Sequence, residues 1–291
     1  MTKKEFEKLA EKTILLDGAT GSNLMKAGMP RGICTEQWIL ENENVLIDLQ
    51  RAYVEAGSQI VYAPTFGANR LTLTSHGLQD QLGDMNKRLV ELSRRATDGK
   101  AFVAGDVTTG GRMLGSMPDA TYEEAFERYK EQISHLAEAG VDLLVAETMI
   151  SIDETVAAVE AAQAVCDLPI MCSLTVEADG SLFFGGNVRT ALETLQEVGA
   201  SAVGINCSVG PDQLISVVAN LKEIAKVPVI AKPNAGMPVI DEKGEALYSM
   251  TPEDFGYHME QLIKAGAGIV GGCCGTTPEY IRELHDRCLS V

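Results

Sequence analysis

The chain has 291 residues, an apolar fraction of 45% and 28 glycines, which suits one large α/β barrel or two ordinary domains and not a fibrous or disordered chain. Its formal net charge of −17 disfavours nucleic acid and anionic membrane surfaces, both of which need a basic footprint. The opening MTKKEFEKLAEK is charged throughout and lacks the apolar centre of a signal peptide. No run reaches the ~18 apolar residues of a membrane span, so a cytoplasmic setting is expected.

Short apolar, β-branched segments recur along the chain, each followed by an amphipathic stretch. In order they are residues 13–17 (TILLD), 59–64 (QIVYAP), 101–106 (AFVAGD), 142–147 (DLLVAE), 169–175 (PIMCSLT), 202–207 (AVGINC), 228–232 (PVIAK) and 268–273 (GIVGGC). The intervening segments read as helices, notably 122–139 with its acidic face, alanine-rich 153–165 and 253–265 after Thr251-Pro252. Thr277-Pro278-Glu279 opens the last helix in the same way. Glycines 140, 199 and 266 stand where left-handed C-caps belong.

Near-continuous hydrophobic strands alternating with helices point to a parallel sheet covered on its outer face. Eight units without a linker or a composition break predict closure into a (β/α)8 TIM barrel, one domain spanning 1–291. A doubly wound sheet would usually carry Gly-x-Gly-x-x-Gly after its first strand, and Asp17-Gly18-Ala19-Thr20-Gly21 lacks that spacing.

Chemistry in such barrels belongs to the C-terminal ends of the strands. Cys207 closes the sixth strand and the Cys273-Cys274 pair the eighth, so three thiolates can converge on one soft metal ion such as zinc. Adjacent cysteines can share a metal only where the strand has ended, and Gly271, Gly272 and Gly275 allow the backbone to turn there. Three protein ligands leave a fourth position open, the mark of a catalytic site. The odd count of seven cysteines argues against a disulfide framework, and Cys34, Cys166, Cys172 and Cys288 read as small buried hydrophobes.

Asp17 and Glu147 end the first and fourth strands, where they could bind an ammonium group or simply cap and face solvent. The amides of Gly18–Gly21 could take a carboxylate. Asn234 is either a neutral oxygen ligand or a turn residue. Lys232, ending the seventh strand, offers a rival Schiff-base chemistry of the aldolase type. His76, His135, His258 and His285 all lie away from these ends.

With these residues in place, DGATGSNL at 17–24, TFGAN at 65–69, GINC at 204–207, PNAG at 233–236 and GGCCGTTPEYI at 271–281 resemble the homocysteine S-methyltransferase family. The resemblance runs from about residue 10 to 288. The PNAG segment is more similar to the homocysteine-binding module of cobalamin-dependent methionine synthase than to the betaine-using branch. It implies a barrel with zinc on Cys207, Cys273 and Cys274, and Asn234 in the fourth position when substrate is absent. It further implies that Asp17 and Glu147 hold the homocysteine amino group, with backbone near Gly18 and Ala19 seating the carboxylate. The implied reaction is methylation of a zinc-activated homocysteine thiolate to methionine. The implied donor is methylcobalamin on a separate module or corrinoid-binding protein; S-methylmethionine, S-adenosylmethionine and betaine also suit such a thiolate. Cobalamin-dependent members continue into folate- and corrinoid-binding modules, so a fragment or a free-standing subunit is expected here.

Overall fold

The protein is described by a computed structural model that covers residues 1–112, 114–117, 120–241 and 246–289. Its principal sheet consists of β1 (Ile14–Leu15), β2 (Ile60–Tyr62), β3 (Phe102–Thr108), β4 (Leu143–Met149), β5 (Ile170–Leu174), β6 (Ala202–Cys207) and β7 (Val229–Pro233). A later strand completes it, after a small antiparallel ribbon formed by β8 (Val239–Ile240) and β9 (Ala246–Leu247); this last strand is β10 (Ala267–Val270). The order is β1-β10-β7-β6-β5-β4-β3-β2, every pairing is parallel, and a Leu16–Ile60 bridge joins β2 back to β1. The result is a (β/α)8 TIM barrel, as the alternating pattern predicts.

Each of the eight predicted segments overlaps one barrel strand. The ends differ most at β10, which stops at Val270, three residues before Cys273. The ribbon was not anticipated, because two-residue strands on a polar loop carry no readable period.

Strand alternation sorts the core into two shells. Ile14, Leu16, Ile60, Tyr62, Ala104, Leu143, Val145, Met171, Ala202, Ile230 and Ile269 fill the barrel, while neighbours such as Leu15, Val61, Val203 and Ala231 face the surrounding helices. With both faces buried, the strands read as unbroken apolar runs. Phe6 joins the inner shell from the helix Lys3–Leu9, whose N-terminus carries a Thr2–Glu5 capping box. The Met1 ammonium donates to the carbonyl of Asp142 just ahead of β4, which places this helix as a plug at the N-terminal end of the barrel.

The helices Tyr122–Glu138, Ile152–Val165, Pro252–Ala265 and Pro278–Cys288 fall where periodicity puts them. Thr251 accepts from the amide of Asp254 as a cap should, whereas Thr277 makes no side-chain cap bond. Gly199 and Gly266 adopt left-handed C-cap conformations, at φ 105° and 119°. Among the described residues, no helix is long and apolar enough to cross a membrane. Beyond the apolar inner layer, the inward positions turn polar: Asp106 on β3, Glu147 on β4, Asn206 on β6 and Lys232 on β7. That change of character marks the mouth.

Candidate active site

The mouth opens into a cavity of about 310 Å³, lined among others by Asp17, Tyr62, Asp106, Glu147, Lys232 and the three cysteines of interest. Its walls are held by bonds between strand ends. The turn after β10 is stitched on both sides: the amide of Cys273 donates to Pro233 O (2.7 Å), that of Ala235 to Cys274 O (3.0 Å), and that of Gly272 to Asp17 O (3.1 Å). Gly275 completes the turn at φ 87°, a conformation L side chains rarely adopt. Both cysteines can therefore face one point, because neither belongs to a strand.

Cys207 stands opposite, at the end of β6. Cys207 and Ser208 both have positive φ, 57° and 66°, uncommon for residues with a side chain. Thr148, after Glu147, shares the property at φ 56° and is clamped by Asn206, which accepts from the Thr148 amide (2.9 Å) and donates to its hydroxyl (2.7 Å). Three left-handed residues at two strand ends, held by specific partners, are backbone strain concentrated at the mouth.

The sulfur of Cys207 lies 3.0 Å from that of Cys273 and 3.7 Å from that of Cys274, and all three lie within 4.8 Å of one another. Tetrahedral zinc with bonds of ~2.3 Å sets its sulfur ligands about 3.8 Å apart. One pair is at that spacing and another inside it, so the cluster fits a soft divalent ion with little movement. The thiols also titrate unequally. Hydrogen bonds from Cys207 and Cys273 pull Cys274 down to about 3, and the bonds to its two partners push Cys207 far up. Like charges this close cannot all ionise without a cation between them. Asn234 supplies a fourth candidate donor: its side-chain nitrogen donates to Ser208 O (3.0 Å), while its buried Oδ1 has no partner. The Tyr248 side chain, following β9, lies against the turn at Gly275 and helps hold the neighbouring Cys274 thiol down.

On the far side of the cavity, Asp17 Oδ2 accepts from the amide of Tyr62 (2.8 Å). Lys232 rises between Asp17 and Glu147, its Nζ 3.5 Å from Asp17 Oδ1 and 3.4 Å from Glu147 Oε1, and 4.9 Å from the centre of the Tyr62 ring. Burial pushes Asp17 up to about 6 against the pull of Lys232, and burial likewise raises Glu147. Burial alone would lower Lys232, but Glu147 and Asp17 more than reverse it and hold the ammonium charged. Asp106, buried with an unpartnered Oδ1, is driven well above the carboxylate range by burial first and Glu147 second. The amide of Ala19 is occupied by Thr276 Oγ1 (3.1 Å), and its carbonyl accepts from Tyr53 and Asn23. Of the two backbone positions expected to seat a carboxylate, Ala19 thus has its N–H engaged. Gly18 lies against Tyr53, whose hydroxyl would be 2.6 Å from any added Cβ.

The structure therefore gathers Asp17, Gly18, Glu147, Cys207, Cys273 and Cys274 around one cavity. Asp106, the Thr148–Asn206 clamp, Tyr248 and the ion pairs of Lys232 were not singled out from sequence. Asp106 and Asn206 were visible as polar residues at strand ends; Tyr248 gave no signal at all. Cys34 and Cys172 are buried, as expected of small hydrophobes, and Cys166 and Cys288 are partly so.

The family described as homocysteine S-methyltransferase matches residues 14–288. The methionine synthase of Mycobacterium leprae (strain TN) is 31% identical over 297 residues, covering 96% of this chain and 24% of the relative. That of Mycobacterium tuberculosis (strain ATCC 25618 / H37Rv) is 30% identical over 294 residues, covering 95% and 24%. The chain thus spans about a quarter of the length of these curated relatives. Among solved structures, the homocysteine methyltransferase MmuM from Escherichia coli in its metallated form superposes with a TM-score of 0.81, at 23% identity, covering 98% of this chain and 99% of that one. At that identity the likeness is one of fold.

Proposed function

The chain belongs to the homocysteine S-methyltransferase family, and from that premise we propose that it methylates homocysteine to methionine with zinc held by Cys207, Cys273 and Cys274. The observation that carries this reading is the convergence of three sulfurs within 4.8 Å of one another at the edge of a cavity sized for a small amino acid. The unpartnered Oδ1 of Asn234 supports its place as fourth ligand before substrate arrives. Zinc there would act as a Lewis acid, lowering the pKa of a thiol from roughly 8.5 so that it is ionised at neutral pH.

The chain's own residues supply the rest. Asp17 and Glu147 face the cavity as the carboxylates that orient the α-ammonium, and the backbone at Gly18 faces the carboxylate. Asn206 and Thr148 fix the ends of β6 and β4, so the sulfur cluster and Glu147 keep their separation. In the transfer, the acceptor sulfur forms a bond to carbon as the donor–methyl bond breaks, and the thiol proton leaves to solvent beforehand. No side chain has to protonate the sulfur, and the residues lining the cavity include no histidine. Lys232, charged and paired with two carboxylates, is no free amine, so the Schiff-base reading loses its nucleophile.

The donor we infer is a methyl-corrinoid on another module or protein, since the curated relatives are methionine synthases about four times as long. Exposed apolar side chains on the mouth-side loops, including Phe66, Phe183, Phe184, Val239 and Ile240, support a macromolecular donor over a free one. Zinc-loaded protein should form methionine from homocysteine with free methylcobalamin, and less or none with S-methylmethionine, S-adenosylmethionine or betaine. Cys207→Ser should lose zinc and activity together while its circular dichroism stays that of a folded barrel. Full activity in a metal-free variant would overturn the reading.

A further inference from the structure

In the proposed complex Asp17 and Glu147 receive the α-ammonium of the acceptor, yet Lys232 draws on the same two carboxyls. Its Nζ stands 3.5 Å from Asp17 Oδ1 and 3.4 Å from Glu147 Oε1. The other oxygen of Asp17 already accepts from the amide of Tyr62 (2.8 Å). Lys232 is 3% exposed and lies against the Tyr62 ring, so its charge stays in the cavity. Two carboxylates must then serve two ammonium groups with three N–H donors each, and the pair's charge of −2 is halved before substrate arrives.

Asp106 is a carboxyl at the same mouth that has no such engagement. It enters from β3, is buried, and lines the same cavity. Its backbone is pinned by Thr65, whose hydroxyl donates to Asp106 O (2.7 Å) and accepts from its amide (3.1 Å), so the side chain departs from a fixed point. Its Oδ1 is buried and has no hydrogen-bond partner among the described residues. Buried carboxyl oxygens are normally paired, and one left open beside a ligand cavity is suited to a donor that the ligand brings. The groups that face it are Glu147 from β4, Lys232 from β7, Asp17 after β1, Tyr62 from β2 and Cys273 after β10. Burial and then Glu147 keep the Asp106 proton on, and a second ammonium at these oxygens favours the ionised form.

We propose that Asp106 is the third carboxyl of the amino-group subsite and a determinant of acceptor specificity: its Oδ1 receives the third N–H of the homocysteine ammonium, and its charge replaces what Lys232 takes from Asp17 and Glu147. The acceptor class is a short α-amino acid that carries a thiol, and Asp106 is the residue that helps this barrel tell it from the desamino thiol acid. This rests on the reading of the chain as a zinc-dependent homocysteine methyltransferase.

The test uses the zinc-loaded protein with homocysteine and with 4-mercaptobutanoate, the same chain without the amino group. Both affinities are measured by calorimetry without donor. Asp106→Asn removes the charge at nearly constant shape. Its homocysteine affinity should fall about 10- to 100-fold, the range of a hydrogen bond to a charged group, while its 4-mercaptobutanoate affinity stays within about threefold and its zinc stoichiometry is unchanged. Asp106→Ala, which also removes the acceptor, should narrow the preference for homocysteine at least as far. With methylcobalamin as donor, KM for homocysteine should rise as affinity falls, with kcat within about threefold of wild type. A merely structural role would weaken both thiols alike and leave their ratio unmoved. A preference narrowed by less than about tenfold in folded, zinc-bearing Asp106→Asn overturns the inference and leaves the homocysteine reading intact. So does a variant chain that no longer folds, because a carboxyl without a partner has no structural bond to lose. Failure of the wild-type protein to bind either thiol overturns the homocysteine reading and this inference with it.

Discussion

At the residue scale, the carboxyl of Asp17 shows how the mouth trades stability for a charged cavity. Burial raises its pKa from the ordinary 3.8 to about 6 even with Lys232 alongside. Between those two values the folded chain holds a proton that the unfolded chain has released, so stability falls as pH rises through that window. Asp17→Asn lacks this titration. Its unfolding free energy relative to wild type should therefore grow by about 2 kcal/mol between pH 4 and pH 6, then level off by pH 7. Urea unfolding at pH 4, 5, 6 and 7 checks this, and a difference that stays flat across the series would refute it. Asp17, Glu147 and the three cysteines were legible as candidates because their type and their place at a strand end are both written in the sequence. What Lys232 does was not legible. Its partners come from strands on other parts of the ring, 215 residues away for Asp17 and 85 for Glu147 by their numbering, and only the closed barrel shows which inward side chains meet.

Elements with a strong period or a strong cap were readable, and those fixed by tertiary contact were not. The eight strands and the helix opened by Thr251-Pro252 announce themselves through hydrophobicity and capping. The ribbon β8–β9 does not, although it precedes Tyr248, which lies against the turn at Gly275 beside Cys274. Nor does the helix Lys3–Leu9: its charges mark it as no signal peptide, but nothing in the chain order says that Phe6 enters the barrel. Phe6 is 1% exposed and packs with Ile14, Leu143 and Met171 in the inner shell. Phe6→Ala should open a cavity at the closed end and cost about 3–5 kcal/mol. Zinc stoichiometry and homocysteine affinity should not change, since the mouth lies at the other end of the strands. A loss below about 1 kcal/mol in the unfolding titration would mean the helix is an appendage and not a plug.

For the whole molecule, the question is whether the metal builds the barrel or only binds to it. The inner and outer shells enclose all eight strands with apolar contacts that involve none of the three cysteines except at the rim. A metal-free chain should therefore be folded and unfold cooperatively, unlike small domains whose structure depends on zinc. The ligands nevertheless come from two strand ends, after β6 and after β10, with β7 lying between and carrying Asn234 just beyond it. Zinc bound there ties together three neighbouring strands and favours the native state by mass action. At a free concentration about a thousandfold above Kd the gain is about 4 kcal/mol, which for a chain of this size raises Tm by about 8 °C. Cys207→Ser should show no comparable rise in the same scan. An equal shift in that variant would place the stabilising zinc elsewhere, and an unfolded metal-free chain would make the cluster a structural site, with no free position for a substrate thiol.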